Sequence, residues 1–550
     1  MRRQKLNKIS AWVLGLAILL LSHGSNVSAQ IQQSPSDQTV ARFLYQTSFG
    51  PTPALINEVR ENGLGGDWIQ KQINLPATYH QPLYQTPFSK GLQSNRENAW
   101  YQIVVTAEDQ LRQRTAYALS QIVVVSRYGG VLSSKPTGLV NYYDLLVEHA
   151  FGNYRDLLYD VSIHPVMGSY LSMLGSAKEN SGTGTLPDEN FARELMQLFT
   201  IGLYELNLDG SKKLNHATGK PIPPTYNQTD IQELARALTG WKNSDIAFVK
   251  PMRVISQRHD TGEKRFLGNV IPSGLTAQEE LSKVIDMLMS HPNVAPFVSK
   301  LLIQRLVSSN PSPEYVARVA TIFNNNGGEG EKGDLTAVVR AILLDPEALG
   351  MTDTPPIKVK EPILVLTNFH RASGFTVKGS RYEDATTMMN IANQGPLRSP
   401  SVFNFYSPDY QPSNEFTESG INSPEYELLN WSVYTDLVNY MLTSTRRGGG
   451  DSYHFDLNEF YLLLDDHRAL VELVNERFFA GTASAELKEL MLTALNDYRG
   501  GLCANNKTRS SDIYRHFWRR ILYSGLGVNY GYFTTTFYTK HAIDGRTSLS

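Results

Sequence analysis

The segment His259-Asp260-Thr261-Gly262-Glu263-Lys264 sets an imidazole beside a carboxylate, with an ammonium group just beyond. A histidine next to an aspartate on an exposed turn can ligate a metal or run acid–base chemistry. The same Asp-Thr-Gly also builds a turn by itself, with Asp bonding its own backbone and Gly taking positive φ. Both readings stand at this point.

Glu194 is the second place where chemistry can sit. On a helical wheel of Glu189 to Ile201, Phe191, Leu195, Leu198 and Phe199 form the apolar stripe, while Glu189, Arg193 and Gln197 fall opposite. Glu194 lies roughly 40° from Leu198, at the stripe's edge, with Asn190 one turn before it. A carboxyl group there is partly buried, and burial raises its pKa towards the range of a general acid. The competing reading is an ion pair with an arginine from a neighbouring helix. Arg236, which has Gln232 and Glu233 within reach on its own helix, is the obvious partner, or alternatively an anion receptor. The candidate catalytic groups are therefore Glu194, His259 and Asp260, and the candidate substrate-binding groups are Asn190, Arg236 and Lys264.

Other features carry less. His149 and His164 lack ligand spacing. Glu361 opens a helix, where the dipole favours a carboxylate. The Glu329-to-Asp334 loop offers oxygen ligands without EF-hand spacing. Phe403, Phe405, Tyr406 and Tyr410 can stack on sugars or pin an irregular segment to a core. No His-Glu-x-x-His helix, phosphate loop, Gly-x-Ser-x-Gly elbow or dinucleotide fingerprint is present, and no pattern specifies a metal or a cofactor.

The elements that must position these groups read as helices. Apolar residues recur at helical spacing over Leu111–Val125, with Arg112, Gln113 and Gln121 on the polar face. Leu139–Ala150 and Tyr154–Ile163 form a pair joined by a short link. Asp188 and Gly202 cap the Glu189–Ile201 helix, and Asn227 with Asp230 predicts a capping box for the next, which ends at Gly240. Further helices fall at Ala277–Ser290, Val294–Leu306, Pro313–Asn324, Leu335–Leu344, Glu361–Ser373, Leu428–Leu442, Leu457–Phe479, Ser484–Asp497 and Asp512–Tyr523. The exception is Met252–Ile271, read as a β-hairpin turning at Asp260–Glu263. Gln394–Tyr426 is irregular but ordered, and Arg446–Asp451 is a weak linker candidate. The expected fold is mainly α, a large multi-helix single unit with a small β-hairpin insertion.

The N-terminus has the pattern of a secretory leader. Arg2, Arg3, Lys5 and Lys8 precede an apolar run from Ala11 to Leu21, and Val27-Ser28-Ala29 offers a cleavage site. The run is too short to span a bilayer, which takes about 18 apolar residues. The expected division is a signal peptide at 1–29 and one helical domain at 30–550, exported to the periplasm or beyond the cell. Removing the leader takes the formal net charge from −2 to −6, which argues against nucleic acid as a partner. Cys503 is the sole cysteine, so no internal disulfide forms and stability must come from packing.

Several segments together resemble the bacterial family known as domain of unknown function 1800. They include ARFLYQTSFGPTP (Ala41 to Pro53), LRQRTAYALSQI (Leu111 to Ile122), PDENFARELMQLFTIGLY (Pro187 to Tyr204), QELARALTGW (Gln232 to Trp241), HDTGEKRFLG (His259 to Gly268), GDLTAVVRAILLDPEA (Gly333 to Ala348) and Ser399 to Pro412. The best-matched span is about 38–525. The resemblance implies one large helical unit, frequent export and no known activity. It also suggests a sulfatase-like exported protein as partner, because genes of the two families often adjoin; a glycan is the other expected partner. The Gly525–Ser550 end departs from the family's helical ending. Two functions stand: an envelope or extracellular binding or assembly protein, and an extracytoplasmic hydrolase or lyase working on a polymer through Glu194, His259 and Asp260. The missing catalytic signatures favour binding.

Overall fold

In the computed structural model, residues 36–496 are described, apart from 65, 86–91, 329, 353–357, 379–381, 383, 413–414 and 448–452. The leader, the Asp512–Tyr523 helix, Cys503, Glu329 and the Gly525–Ser550 end lie outside the described residues, as does most of Arg446–Asp451.

Helices dominate, and three two-stranded antiparallel sheets form among the described residues. Periodicity places many helices within a residue or two: Tyr154–Ile163, Ala277–Ser290, Val294–Leu306 and Pro313–Asn324 match, and Leu335–Leu343 ends one residue early. Asn227 and Asp230 form the expected capping box on the Gln228–Ala237 helix. A second box, Thr276 with Glu279, starts Ala277–Ser290.

Four expectations are corrected. The Met252–Ile271 segment does not turn at Asp260–Glu263. β3 (Lys264–Phe266) and β4 (Asn269–Ile271) pair around Leu267-Gly268, both at positive φ, as a tight primed hairpin turn requires. Arg253–Val254 (β2) instead pairs with Trp241–Lys242 (β1). The expected Leu457–Phe479 helix is two helices, Asn458–Tyr461 and His467–Phe479, because the Asp466 side chain accepts from the Ala469 N–H and starts the second one. The Leu428–Leu442 helix runs instead from Trp431 to Arg447. The helix carrying Glu194 starts at Asn190, with Asp188 accepting from its N–H rather than occupying the N-cap, and ends at Gln197, ahead of Gly202 at φ 82°.

One apolar core runs from Val40 to Leu495, and its two ends meet. Tyr45, in the first described helix (Asp37–Thr47), donates its hydroxyl to the Arg477 carbonyl, and Arg60 pairs with Glu476. β5 (Phe375–Val377) likewise pairs with β6 (Tyr453–Phe455) across a long sequence gap. Buried among these strands, His370 stacks on Phe375 and bonds the Tyr101 and Tyr440 hydroxyls. Among the described residues no helix is long and apolar enough to cross a membrane.

Candidate functional site

The Gln228–Ala237 helix presents Asp230, Glu233 and Arg236 at successive i,i+3 positions, which share a face. This ladder grips the following segment. Asp230 accepts from the Leu267 N–H at 2.8 Å, and Glu233 from the Arg265 N–H at 2.9 Å. Arg236 donates Nε and Nη2 to the two oxygens of Asp260, at 2.8 and 3.1 Å, and Nη1 to Glu233. This bidentate pairing is the strongest form of the guanidinium–carboxylate contact.

Asp260 also forms the expected side-chain turn, accepting from the Gly262 N–H at 2.9 Å. Gly262 does not adopt the positive φ expected of it. A Cβ there would lie 2.8 Å from Arg236 Nη2 and 3.1 Å from Asp260 Oδ1, so it would press on the ion pair. Burial opposes ionisation of Asp260, but Arg236, the Gly262 N–H and Lys264 outweigh it and hold the carboxyl below its usual range. Lys264 is fully buried and directs its ammonium to the carbonyls of Asp260 and Gly262 and to Glu280 Oε1, at 2.6, 2.9 and 2.7 Å.

His259 is buried, not exposed on a turn. Its Nδ1 lies 3.0 Å from the Thr239 carbonyl, so this nitrogen carries the proton and donates. Nε2 faces Glu280 Oε2 across 3.6 Å, too far for a hydrogen bond, and both atoms are buried without one. Burial pushes the Glu280 carboxyl up to about 7, against the pull of Lys264, and burial also lowers the imidazole. Four of the predicted residues, Arg236, His259, Asp260 and Lys264, thus meet in one cluster, with Glu280 as the member the sequence reading missed. A signal for it exists: Glu280 lies on the helix face of Ala277 and Val284, both buried.

Glu194 and Asn190 take no part in the interactions of this cluster. Asn190 is exposed. Glu194 is buried, and among the described residues it forms no ion pair, with Arg236 or any other base. Its Oε2 has no hydrogen-bond partner, and burial raises its carboxyl against the weaker pull of Arg193. The Tyr170 and Tyr226 hydroxyls lie near enough to feel its charge. Arg193 pairs instead with Glu189 at 3.1 Å, as the wheel predicts.

The weaker candidates resolve locally. His149 bonds Asp160, and His164 caps the Pro165–Tyr170 helix, with burial lowering it to about 3. Glu331 and Asp334 take donors from Asn153 and Asn326. Glu361 does stand at the N-cap of the Pro362–Ala372 helix, but its buried side chain makes no capping bond and accepts instead from Tyr117, Gln121 and Gln394. Tyr406 is buried beneath Arg305, while Phe403 faces solvent. Among the described residues no group of three or more His, Cys, Asp or Glu side chains is placed to hold a metal. A surface groove lined by Asp67, Gln70, Lys71, Asn74 and Leu75 includes none of the predicted residues.

Comparison with known proteins gives one match: the family model described as protein of unknown function (DUF1800) aligns with residues 42–522. No curated protein and no solved structure matches the chain.

Proposed function

The chain belongs to the DUF1800 family, and from that premise we propose that it is an exported binding or assembly protein of the cell envelope or extracellular space. The observation that carries this reading is that Arg236, Asp260 and Lys264 are each committed to partners within the protein. A catalytic acid, base or ligand needs a free position facing its substrate. Here the polar groups of Arg236, Asp260 and Lys264 engage one another, Glu233, Glu280 or the backbone, and His259 faces inward. Such an arrangement rigidifies a body that presents its surface to a partner, for which a glycan or a sulfatase-like exported protein is the natural class. The leader pattern at residues 1–29 supports export.

The test is capture of partners by the tagged protein from periplasmic and extracellular fractions, with N-terminal sequencing of the captured form. The reading expects a chain starting at Gln30 and specific retention of a glycan or an exported protein. A retained leader or a chain confined to the cytoplasm would overturn it.

A second reading, a hydrolase or lyase acting on a polymer, has one specific observation behind it: the unpaired, buried carboxyl of Glu194 beside Tyr170 and Tyr226. It expects chain cleavage of an envelope or extracellular polysaccharide that Glu194→Gln abolishes while the protein stays folded. Absence of cleavage across such polymers removes it.

A further inference from the structure

Glu97, in the Leu92–Thr106 helix, is 0 % exposed, and three guanidiniums converge on its Oε1. Arg127 Nη1 stands at 2.5 Å, Arg96 Nη2 at 3.3 Å and Arg398 Nε at 3.9 Å. Thr386 donates its hydroxyl to Oε2 at 2.6 Å. Among the described residues these three arginines pair with no other carboxylate, so one negative charge faces three positive ones. Burying a charge is costly unless it is paired.

Donor accounting shows where the surplus points. Arg96 is satisfied, with its remaining nitrogens on Gln93 Oε1 and the Pro396 carbonyl. Burial, reinforced by the charges of Arg127 and Arg398 against that of Glu97, pulls it down to about 10. Arg398 gives Nη2 to Asn390 and Nε to the Tyr128 hydroxyl at 3.4 Å, but its Nη1 is buried without a partner. Arg127 uses only Nη1 on Glu97 among the described residues, and its side chain keeps 22 % of its surface open. The donors open to solvent are those of Arg127, while Arg398 Nη1 is sealed beneath the surface next to it.

Tyr128 is 55 % exposed, with the Arg127 guanidinium 5.0 Å from its ring centre. The neighbouring strip of chain runs against it: the Arg127 N–H donates to the Leu397 carbonyl and the Ser126 hydroxyl to that of Ser399. That strip goes on to Phe403, 60 % exposed. The open donors of Arg127, beside the exposed Tyr128 ring, suit a ligand with an anionic group and an apolar face. A guanidinium edge matches carboxylate, sulfate and phosphate oxygens two at a time.

We infer that Arg127, Arg398 and Tyr128 form a binding site for an anionic sugar unit of a polymer. The Arg127 guanidinium takes its acidic group, Arg398 adds its charge and holds the Tyr128 hydroxyl, and the Tyr128 ring packs on the sugar face. This assignment rests on the binding reading above and names its ligand class. The acidic group can be a uronate carboxylate or an ester sulfate, and the probes separate the two.

Calorimetric titration of the purified protein with oligogalacturonate, dextran sulfate and neutral dextran tests it. At least one anionic probe binds and neutral dextran does not. Raising salt weakens the binding, and Tyr128→Ala and Arg127→Gln each reduce affinity tenfold or more. Because Arg127→Gln also strips Glu97 of its closest partner, Tyr128→Ala decides the matter if that variant fails to fold. Equal affinity for neutral dextran, unchanged affinity in Tyr128→Ala, or no binding of either anionic probe overturns the assignment. In the last case, capture of an exported protein would still support the broader binding reading, whereas failure of both experiments removes it too.

Discussion

Lys264 bridges two backbone carbonyls and Glu280 in a space closed to water. Lys264→Met therefore removes several hydrogen bonds and leaves a buried carboxyl. The expected loss is about 3 kcal/mol by denaturant unfolding, the low end for a broken buried pair because Glu280 can take a proton instead. A loss under about 0.5 kcal/mol, typical of surface changes, would contradict the burial argument. Glu280 also sets a pH dependence. Its carboxyl, held up to about 7, contributes most stability below its ordinary value of 4.5 and loses that contribution as pH rises through 7. Wild type should thus lose stability relative to Glu280→Gln between pH 5.5 and 8, and a constant difference would show the carboxyl is not raised. Glu194 has no ion pair to lose, so Glu194→Gln should change stability by under about 1 kcal/mol; a loss of about 3–5 kcal/mol would reveal a hidden partner. The sequence showed which residues were polar within apolar stripes, and Glu194 was found that way. It could not show what each would meet. Arg236 binds Asp260 rather than Glu194, and Glu361 meets Tyr117 and Gln121 instead of serving its own helix end.

Among elements, local signals told where helices start better than where strands turn. The Asn227 box, the Asp334 cap and the Ser312 cap are side-chain-to-backbone bonds within three residues, so they are written into the chain locally. The β3–β4 turn at Leu267-Gly268 puts a leucine at φ 49°, an unfavourable choice that the Asp230 contact to its N–H supports. The Asp-Thr-Gly sequence looked more like a turn because it satisfies itself. Gln113 and Gln121, read as a polar face, are buried because their partners come from remote segments. Gly240 lies between the Gln228–Ala237 helix and β1 at φ 92°, and a Cβ there would stand 2.9 Å from the His259 Cβ. Gly240→Ala should therefore destabilise by more than about 1 kcal/mol, since both the backbone angle and the close approach oppose it. Unchanged melting would show that the His259 segment yields easily.

At the scale of the molecule, the continuous apolar core from Val40 to Leu495 predicts one calorimetric transition. It also predicts that limited proteolysis releases no stable fragment holding only the first or last half. Two resolved transitions would show separable units. That the chain is mostly helical was legible from periodicity alone. That the two ends of the described region come together was not, because the Tyr45–Arg477 contact joins residues 432 apart, and no local pattern encodes such a pairing. The contact has a further consequence for how the molecule is made. A chain emerging amino end first, from a ribosome or a translocation pore, exposes the Asp37–Thr47 helix long before all of the surface that receives it exists. Closing such a distance late favours slow maturation. Phe43 finds Trp68 early, but until residue 477 has followed the part of residues 37–47 that meets it stays uncovered, so holdase chaperones should find their grip there.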